Sequence, residues 1–422
     1  MMTMQSSTSS SGVQKATEAL LVVCTLFLIV LVYLRLASVP LLYDEVFHYE
    51  RISALLTGVS PSVGWGVMFP GYHVLVAGIL TIGGWTSIPA ARTVSFLFSL
   101  SSCVAAYGVA RSVDRPSALL RTLQFALFPI LLPFFPLMYT DTLALSFLLI
   151  ALLAALHSRL ILLSLFFLLS VAVRQNNILW APLQFAILLE ADPQWRISAP
   201  GPAAWLRSAA VRFRDGRARR VMLRAGMPLL LPVFVFALFV AITGRASFSP
   251  TLAAAHPFPS FSLGNIFFTL FLFTALFLPL VLSRMRALFL LLIRHAWVIG
   301  VLVALFLLFS FGFHVDHPAN SEIGRLRDVI LLAAAAGELN GLLFWFTGML
   351  GLLTLCVTPL ARKIFLWIYP LALLYLGGSW LIETRYAIVP LVLFLLFRKS
   401  FSWRLELVQF AFSVALCFWV FS

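Results

Sequence analysis

Acidic residues are scarce in this chain: its 422 residues include 15 Asp and Glu, against 29 Lys and Arg. Charged side chains make up 10% of the chain, whereas soluble domains contain about a quarter. Together with a hydrophobic share of 62%, this excludes an ordinary soluble domain. The sequence also lacks a Walker loop, a G-x-G-x-x-G run and a G-x-S-x-G run. It therefore carries no signal for a P-loop nucleotide site, a Rossmann dinucleotide site or a serine hydrolase.

Cysteine is rare as well. The four cysteines are Cys24, Cys103, Cys356 and Cys417, and each lies inside an apolar run. None belongs to a Cys-x-x-Cys or Cys/His pattern. We interpret them as small core residues and expect neither a disulfide framework nor a zinc site.

Long apolar runs fill most of the chain, which has a mean hydropathy of +1.03. Thirteen of these runs are interpreted as transmembrane helices. They fall near 18–36, 92–110, 119–137, 141–157, 160–173, 178–191, 226–243, 264–283, 295–313, 339–359, 364–381, 385–397 and 405–421. We predict an all-α polytopic membrane protein with about 13 transmembrane helices. A cytoplasmic tail at 1–17 would precede a single transmembrane domain at 18–422.

The segment 72–88 decides how the chain is oriented. It is apolar, but its glycines and Pro89 favour a re-entrant or juxtamembrane helix over a full span. With this segment kept on one face, 21 of the 29 basic residues fall on one side, eight of them in the loop 192–225. Cytoplasmic loops carry the Lys/Arg excess, so this side is predicted to be cytoplasmic. The net charge of +14 is then a topology signal and does not indicate nucleic-acid binding.

The polar residues that suit chemistry fall on the opposite, extracytoplasmic side. The first extracytoplasmic loop, 38–91, contains Asp44 and Glu45, and residues 43–50 hold three of the 15 acidic residues. Carboxylates in or beside a membrane are costly and usually mark substrate or proton pathways. The pair suits a general base, although a solvated start of a loop would also explain it. His48 follows Asp44 by four residues, where it could hydrogen-bond a sugar or a carboxylate, or serve only the structure.

Arginines on the same side are candidates for binding an anionic ligand. Arg174 opens a run of four hydrogen-bonding side chains, 174–177, and arginine binds phosphate through its bidentate fork. Arg385 lies in the Glu-Thr-Arg-Tyr run at 383–386, where an interfacial tyrosine beside a local ion pair is the alternative. Arg92 begins a span, where a snorkelling side chain is the alternative.

Two further extracytoplasmic stretches carry weaker signals. Asp141 follows an aromatic, proline-containing run at 133–139 and either caps the next helix or faces a sugar or lipid headgroup. His314, Asp316 and His317 are residue types that bind metals. Their spacing matches no specific metal signature, so we expect no metal site.

Taken in order, these motifs resemble a known family, the dolichyl-phosphate-glucose α-1,2-glucosyltransferases of the GT-C superfamily. The similar elements are Asp44-Glu45-Val46-Phe47-His48, Trp65 with Pro70-Gly71-Tyr72, Phe134-Phe135 with Tyr139-Thr140-Asp141, Arg174-Gln175-Asn176-Asn177-Ile178-Leu179-Trp180, and Glu383-Thr384-Arg385-Tyr386-Ala387-Ile388-Val389-Pro390. They keep the family's order from residue 43 to 390. The family's Gly-Asp loop is reduced here to 244–247 with His256, and its later His-Pro element to 317–320 with Arg325.

The resemblance implies an inverting transferase that moves glucose from dolichyl-phosphate glucose to a lipid-linked oligosaccharide for N-glycosylation. It implies a lumenal site in the endoplasmic reticulum membrane (the plasma membrane in a bacterium), with arginines in place of a metal cofactor. Asp44 would be the base, supported by Glu45. The substrate-binding residues that it implies are His48, Tyr72, Arg92, Asp141, Arg174, Gln175, Asn177, His256, His317, Glu383, Arg385 and Tyr386.

The expected partners are the polyprenyl-phosphate sugar, the lipid-linked acceptor and membrane lipid, without nucleic acid. Two alternatives stay open. One is a GT-C transferase for another polyprenyl-phosphate sugar, such as mannose or a bacterial lipid-linked sugar. The other is a membrane transporter, which would show inverted repeats and broken helices at the midplane.

Overall fold

The computed structural model describes residues 6–61, 66–192, 202–248, 261–320 and 326–421. These residues form α-helices joined by short 3₁₀ turns, and they contain no β-strand. The helices are α1 Ser6–Ala37, α2 Glu45–Thr57, α3 Gly71–Gly83, α4 Ile88–Val113, α5 Ala118–Ala126, α6 Thr140–Leu156, α7 Leu160–Val173, α8 Ala181–Glu190, α9 Pro202–Arg212, α10 Gly216–Thr243, α11 Gly264–Leu276, α12 Leu278–Arg294, α13 Trp297–Gly312, α14 Leu326–Ala336, α15 Glu338–Val357, α16 Ile368–Gly377, α17 Thr384–Phe397 and α18 Trp403–Phe421. The all-α polytopic class predicted from the sequence is confirmed.

Helix lengths differ from the thirteen spans expected. Within the described residues, α1, α4, α10, α15 and α18 are long and apolar enough to cross a membrane. Helices α11 and α12 fill the predicted span 264–283, but a 99° bend separates them. Pro279 lies in the first turn of α12, where it cannot donate a backbone hydrogen bond to α11. The other predicted spans are helices of 9 to 17 residues.

The segment at 72–88 is a short helix, as its glycines predict. Helix α3 has 13 residues, a length of about 20 Å, whereas the hydrocarbon core is about 30 Å thick. Both ends of the segment contact neighbouring elements. The Tyr72 hydroxyl shares a 2.7 Å hydrogen bond with Ser95 of α4, and the Tyr49 hydroxyl of α2 donates to the Thr86 carbonyl at 2.8 Å. Neither α2 nor α3, each of 13 residues, is among the described helices that are long enough to cross a membrane.

The centre of the bundle is formed by helices that are apolar on every face. In α17, every residue from Tyr386 to Phe397 is buried, and α6 is buried along most of its length. A helix that is hydrophobic all round belongs in an interior. The first turns of both helices, which carry Arg385 and Asp141, therefore lie on a rigid central scaffold.

A buried polar cluster lies just after the last residue of α17, at the other end of this helix from Arg385. Arg398 donates to both carboxylate oxygens of Glu406, at 2.7 and 2.5 Å, and to Gln124 at 3.3 Å. Arg121 pairs with Asp114 at 3.2 Å. These bonds join the ends of α4, α5, α17 and α18, so the two ends of α17 are each held by charged side chains.

Replacing Gly71 by alanine is expected to destabilise the fold by about 1–3 kcal/mol, because overpacking forces the backbone to shift. A Cβ at this position would lie 2.4 Å from the carbonyl oxygen of Ala172, where α3 crosses α7. Gly78 on the same helix is the matched control, since a Cβ there meets no atom within 4 Å. Thermal unfolding of the purified variants compares them, and equal melting temperatures for Gly71→Ala and Gly78→Ala would contradict this packing.

Candidate active site

Glu45, the second carboxylate of the predicted acidic pair, forms a fully buried ion pair with Arg92. Glu45, the first residue of α2, receives bonds from Nε and Nη2 of Arg92 at 2.8 and 2.5 Å. Its two oxygens also accept from the backbone amides of Leu42 at 3.0 Å and Met138 at 3.1 Å. Both side chains are 0% exposed. Four donors therefore occupy the Glu45 carboxylate, which holds the first loop against α4 and the start of α6.

Arg92 is enclosed in the same way. Its Nη1 donates to the carbonyl oxygens of Leu36 and Val39 at 2.7 and 2.6 Å, and its Nη2 donates to Pro40 at 3.1 Å. These carbonyls lie in the last turn of α1 or just after it, where helical carbonyls lack intrahelical partners. Arg92 thus joins α1, α2 and α4, and its guanidinium nitrogens are bound within the protein. The geometry gives it a positioning role and leaves it no donor for the predicted lipid phosphate.

Asp44, by contrast, is accessible. Its side chain is 35% exposed, and Oδ2 accepts a 2.8 Å hydrogen bond from Nη2 of Arg385. The two residues are 341 positions apart in sequence. Asp44 occupies the N-cap position of α2 but makes no side-chain capping bond, so its carboxylate is available to other groups.

Arg385 is held by a chain of charged groups. Its Nη2 lies 3.5 Å from Oε2 of Glu383, which is also paired with Arg327 of α14. Arg327 donates to both oxygens of its neighbour Asp328, at 2.7 and 3.0 Å. The guanidinium of Arg385 also lies over the ring of Tyr139, 5.2 Å from the centroid. Alternating charges from α2, α14 and α17 therefore fix the direction in which Arg385 points.

Two asparagines fix the backbone that leads into this chain. Asn320 donates to Asp328 at 3.3 Å and to the Ile382 carbonyl at 2.8 Å, and its own oxygen accepts from the Ile382 amide. Asn265, at the start of α11, accepts from the Glu383 amide at 3.0 Å. Because the loop before α17 is tied on both sides, Glu383 and Arg385 keep their register against α2.

Arg174 lies beside Tyr386, the residue that follows Arg385. It follows the last turn of α7 and forms a buried ion pair with Asp141 in the first turn of α6. Its guanidinium carbon lies 5.7 Å from the ring centroid of Tyr386. Asp141 therefore pairs with an arginine, and the predicted residues Asp141, Arg174 and Tyr386 come together.

The rest of the Arg-Gln-Asn-Asn run serves the local fold. Gln175 donates to the carbonyls of Val67 and Ala246 and accepts from the Phe69 amide, which connects three loops. Asn177 is fully buried and donates to Ser170 at 2.8 Å. Both predicted ligand residues thus have protein partners beside Arg174.

Two histidines meet next to this group. Nδ1 of His48 and Nε2 of His73 share a 2.9 Å hydrogen bond. The His48 ring also contacts Tyr72 and Tyr139 edge-on, with centroids 5.9 and 5.5 Å apart. Tyr72 itself is fully buried, and its hydroxyl is bound to Ser95, so it shapes the wall of the site behind His48.

Other predicted residues lie away from Asp44 or outside the described residues. His317 is buried against Trp380, with ring centroids 4.8 Å apart, and its Nδ1 accepts from the Ala319 amide. His314 and Asp316 line a separate groove of about 780 Å³ between α13, α14 and α15. The predictions for Trp65, His256 and Arg325 fall outside the described residues. Within the described part of the chain, no group of three His, Cys, Asp or Glu could hold a metal ion.

Sequence reasoning assigned no role in the site to several members of the cluster. These are His73, Tyr139 as an aromatic support, Asn265, Asn320 as a loop tie, Arg327 and Asp328. Arg327-Asp328 is one of four adjacent pairs of opposite charge in the sequence, so it did not stand out as a site. His73, inside an apolar run, gave no periodic or spacing signal.

The convergence of these groups agrees with comparisons to known proteins. The family model of the DIE2/ALG10 family matches residues 42–319, which is more than half of the chain and begins two residues before Asp44. Comparisons with curated proteins and with solved structures gave no match. The chain is therefore a multi-pass membrane glycosyltransferase that belongs to the DIE2/ALG10 family, the dolichyl-phosphate-glucose α-1,2-glucosyltransferase family.

Proposed function

We propose that this enzyme transfers glucose from dolichyl-phosphate glucose to a lipid-linked oligosaccharide and forms a terminal α-1,2 linkage. The observation that supports this most directly is the contrast between two neighbouring carboxylates. Glu45 is fully buried with four donors, whereas Asp44 is accessible and faces Arg385. An accessible carboxylate beside an arginine suits a reaction in which a hydroxyl loses a proton while a phosphate departs.

In this mechanism Asp44 is the base. The acceptor hydroxyl oxygen attacks the anomeric carbon of the donor while its proton passes to the Asp44 carboxylate. The bond from the anomeric carbon to the phosphate oxygen breaks, and its electron pair stays with dolichyl phosphate. One displacement inverts the configuration, so a β-linked donor gives an α-glucoside.

Arg385 stabilises the departing phosphate. It bonds to Asp44 at 2.8 Å in the unliganded protein, and a dianionic phosphate is a stronger partner for a guanidinium than one carboxylate oxygen. Binding of the donor would therefore exchange Asp44 for phosphate at Arg385 and release the Asp44 carboxylate for the acceptor. Arg174, which is paired with Asp141, is a second guanidinium beside the first turn of α17 and would help to hold the phosphate in place of a metal ion.

We place this site on the lumenal face of the endoplasmic reticulum membrane. The ends of α1 and α7 and the starts of α2, α4, α6 and α17 meet there, on the side predicted to have few basic loop residues. The partners would be the polyprenyl-phosphate donor, the lipid-linked glycan and the surrounding lipid. The saccharide acceptor reaches the site from the lumen.

Replacing Arg385 by alanine is expected to lower kcat by about 100- to 1,000-fold and to raise KM for the donor, since a charged donor to the departing group is removed. Arg385→Lys should retain part of the activity, because it keeps the charge but loses the bidentate fork. Arg362→Ala is the matched control: its side chain is 42% exposed and lies 3.8 Å from Glu190. The two variants are compared by glucosyl-transfer kinetics. Equal rates for Arg385→Ala and Arg362→Ala would contradict the role of Arg385 at the phosphate.

The donor assignment is tested with the purified full chain and two donors. Radiolabelled dolichyl-phosphate glucose and dolichyl-phosphate mannose are each supplied with a diglucosylated lipid-linked glycan. The proposal expects transfer of glucose and none of mannose. Transfer from the mannose donor would keep the reaction class and overturn the sugar.

A further inference from the structure

One buried histidine of the pair beside the proposed site has a nitrogen left for a ligand. His73 is 1% exposed, whereas His48 is 8% exposed. Nδ1 of His48 is engaged with Nε2 of His73 at 2.9 Å, and the rings stack with centroids 5.2 Å apart. Of the two ring nitrogens outside this hydrogen bond, Nδ1 of His73 is buried, so Nε2 of His48 is the one that remains for a substrate.

Both rings are neutral near pH 7. Burial is the main cause that lowers the pKa of His48 well below 6.5, and burial lowers the pKa of His73 to about 3. The titratable and charged groups that face His48 are His73, Arg51, Arg385, Arg174, Tyr72, Tyr139 and, one turn earlier on α2, Asp44. The three arginines disfavour a further positive charge, so His48 acts here as an uncharged group.

The surroundings of His73, the more deeply buried of the two rings, determine which nitrogens of the pair carry protons. Nδ1 of His73 is buried and has no hydrogen-bond partner among the described residues. A buried N–H without an acceptor is rarer and more costly than an unpaired lone pair. The positive charge of Arg51, which also lowers the pKa of His73, favours a lone pair over an N–H at this site. His73 therefore carries its proton on Nε2 and donates it to Nδ1 of His48, which leaves the proton of His48 on Nε2.

We infer that His48 is an uncharged hydrogen-bond donor to the departing phosphate, and that His73 is a positioning residue that fixes its tautomer. The ring of His48 packs against Tyr139, and the guanidinium of Arg385 lies over the Tyr139 ring, so His48 and Arg385 flank the same aromatic side chain. The charges of Arg385 and Arg174 both act on His48. This inference rests on the proposed function and assigns separate roles to two residues of the site. Asp44 accepts the proton, and His48 supplies a third donor to the phosphate beside the two arginines.

The tautomer can be measured without any substrate. Nitrogen-15 NMR on the full chain with labelled histidine, with signals assigned through His48→Gln and His73→Leu, reports the proton position on each ring. The expected result is a neutral His48 protonated at Nε2 near pH 7. A His48 that is cationic there, or protonated at Nδ1, would overturn the inference, because Nε2 would then be a cation or a base. Wild-type protein that transfers no glucose although His48 is neutral and protonated at Nε2 would refute the proposed function, and with it the phosphate as the ligand of His48, but not the tautomer that His73 fixes.

Transfer kinetics separate a hydrogen-bond donor from a base at His48. Glutamine carries an N–H at about the distance of Nε2, whereas leucine carries none. His48→Leu is expected to lower kcat by about ten- to a hundredfold, and His48→Gln by no more than about fivefold. Equal and severe losses in both folded variants would show that the imidazole itself takes a proton, and would overturn the inference.

His73→Leu tests the positioning role by its pH profile. Loss of the hydrogen bond that favours neutral His48 should raise the pKa of His48 above its wild-type value, while burial, the larger cause, still keeps this pKa below its ordinary value. Because both nitrogens of a cationic imidazole carry a proton, the kcat of the variant should recover as the pH falls through this pKa, whereas the wild-type profile shows no such rise. Product inhibition by a short-chain polyprenyl phosphate should weaken about tenfold in the variant. An unchanged pH profile and unchanged inhibition in folded His73→Leu would contradict the role of His73.

Discussion

Asparagine in place of Asp44 is expected to reduce glucosyl transfer by about 100- to 10,000-fold, the usual contribution of a positioned general base. The amide keeps the shape of the side chain but cannot accept the proton of the acceptor hydroxyl. Since Asp44 is partly exposed and makes no capping bond, the variant should fold normally. Initial rates at saturating donor and acceptor measure the effect.

Asp316→Asn is the matched control for this experiment. Asp316 is an exposed carboxylate on a loop predicted to lie on the same side of the membrane, and it lines the separate groove between α13, α14 and α15. Its rate should stay within about twofold of wild type, as for surface substitutions away from the site. Full activity in Asp44→Asn would show that Asp44 is not the base. It would also refute the distinction between a catalytic Asp44 and a structural Glu45.

Glutamine in place of Glu45 is expected to destabilise the folded protein by about 3–5 kcal/mol, the cost of leaving one charge of a buried pair without its partner. Arg92 would remain fully buried among backbone carbonyls, with a neutral amide where its counter-ion was. Denaturant or thermal unfolding of the purified protein in one detergent measures the loss. Expression level provides a second readout, because such a loss unfolds many proteins.

Glu338→Gln supplies the control for Glu45, since Glu338 is exposed in the first turn of α15 and should cost less than about 1 kcal/mol. A double variant of Glu45→Gln with Arg92→Gln should cost less than the sum of the single changes, because the two side chains interact directly. Additive losses, or a Glu45→Gln protein as stable as wild type, would contradict the role of this pair.

The sequence predicts the membrane class and the neighbourhood of the site because both depend on local composition. The apolar runs, the basic loops and the Asp44-Glu45 pair are readable without a fold. The different roles of the two carboxylates cannot be read in this way. Glu45 is hydrogen-bonded by Arg92, which is 47 residues away, and by a backbone amide 93 residues away. Only tertiary contacts distinguish a structural carboxylate from an accessible one.

Helix breaks are partly readable as well. The predicted span 119–137 ends as a regular helix at Ala126, before Pro129 and Pro133, and the bend within 264–283 precedes Pro279. Proline removes a backbone donor and ends or kinks a helix, so hydropathy alone overestimates continuous spans. The pairing of Arg385 with Asp44 could not be read from the sequence, because the two residues are 341 positions apart. The pairing of Glu383 with Arg327, 56 positions away, was equally hidden.

Donor binding to Asp44→Asn tests the central claim most directly, because that claim says Asp44 competes with the donor phosphate for Arg385 and then acts as the base. The equilibrium affinity for dolichyl-phosphate glucose is measured on purified wild type and variant, alongside transfer by the same preparations. The account predicts that the variant binds the donor at least as tightly as wild type while transfer falls by at least about 100-fold. Donor affinity and transfer lost together in a folded variant would contradict it.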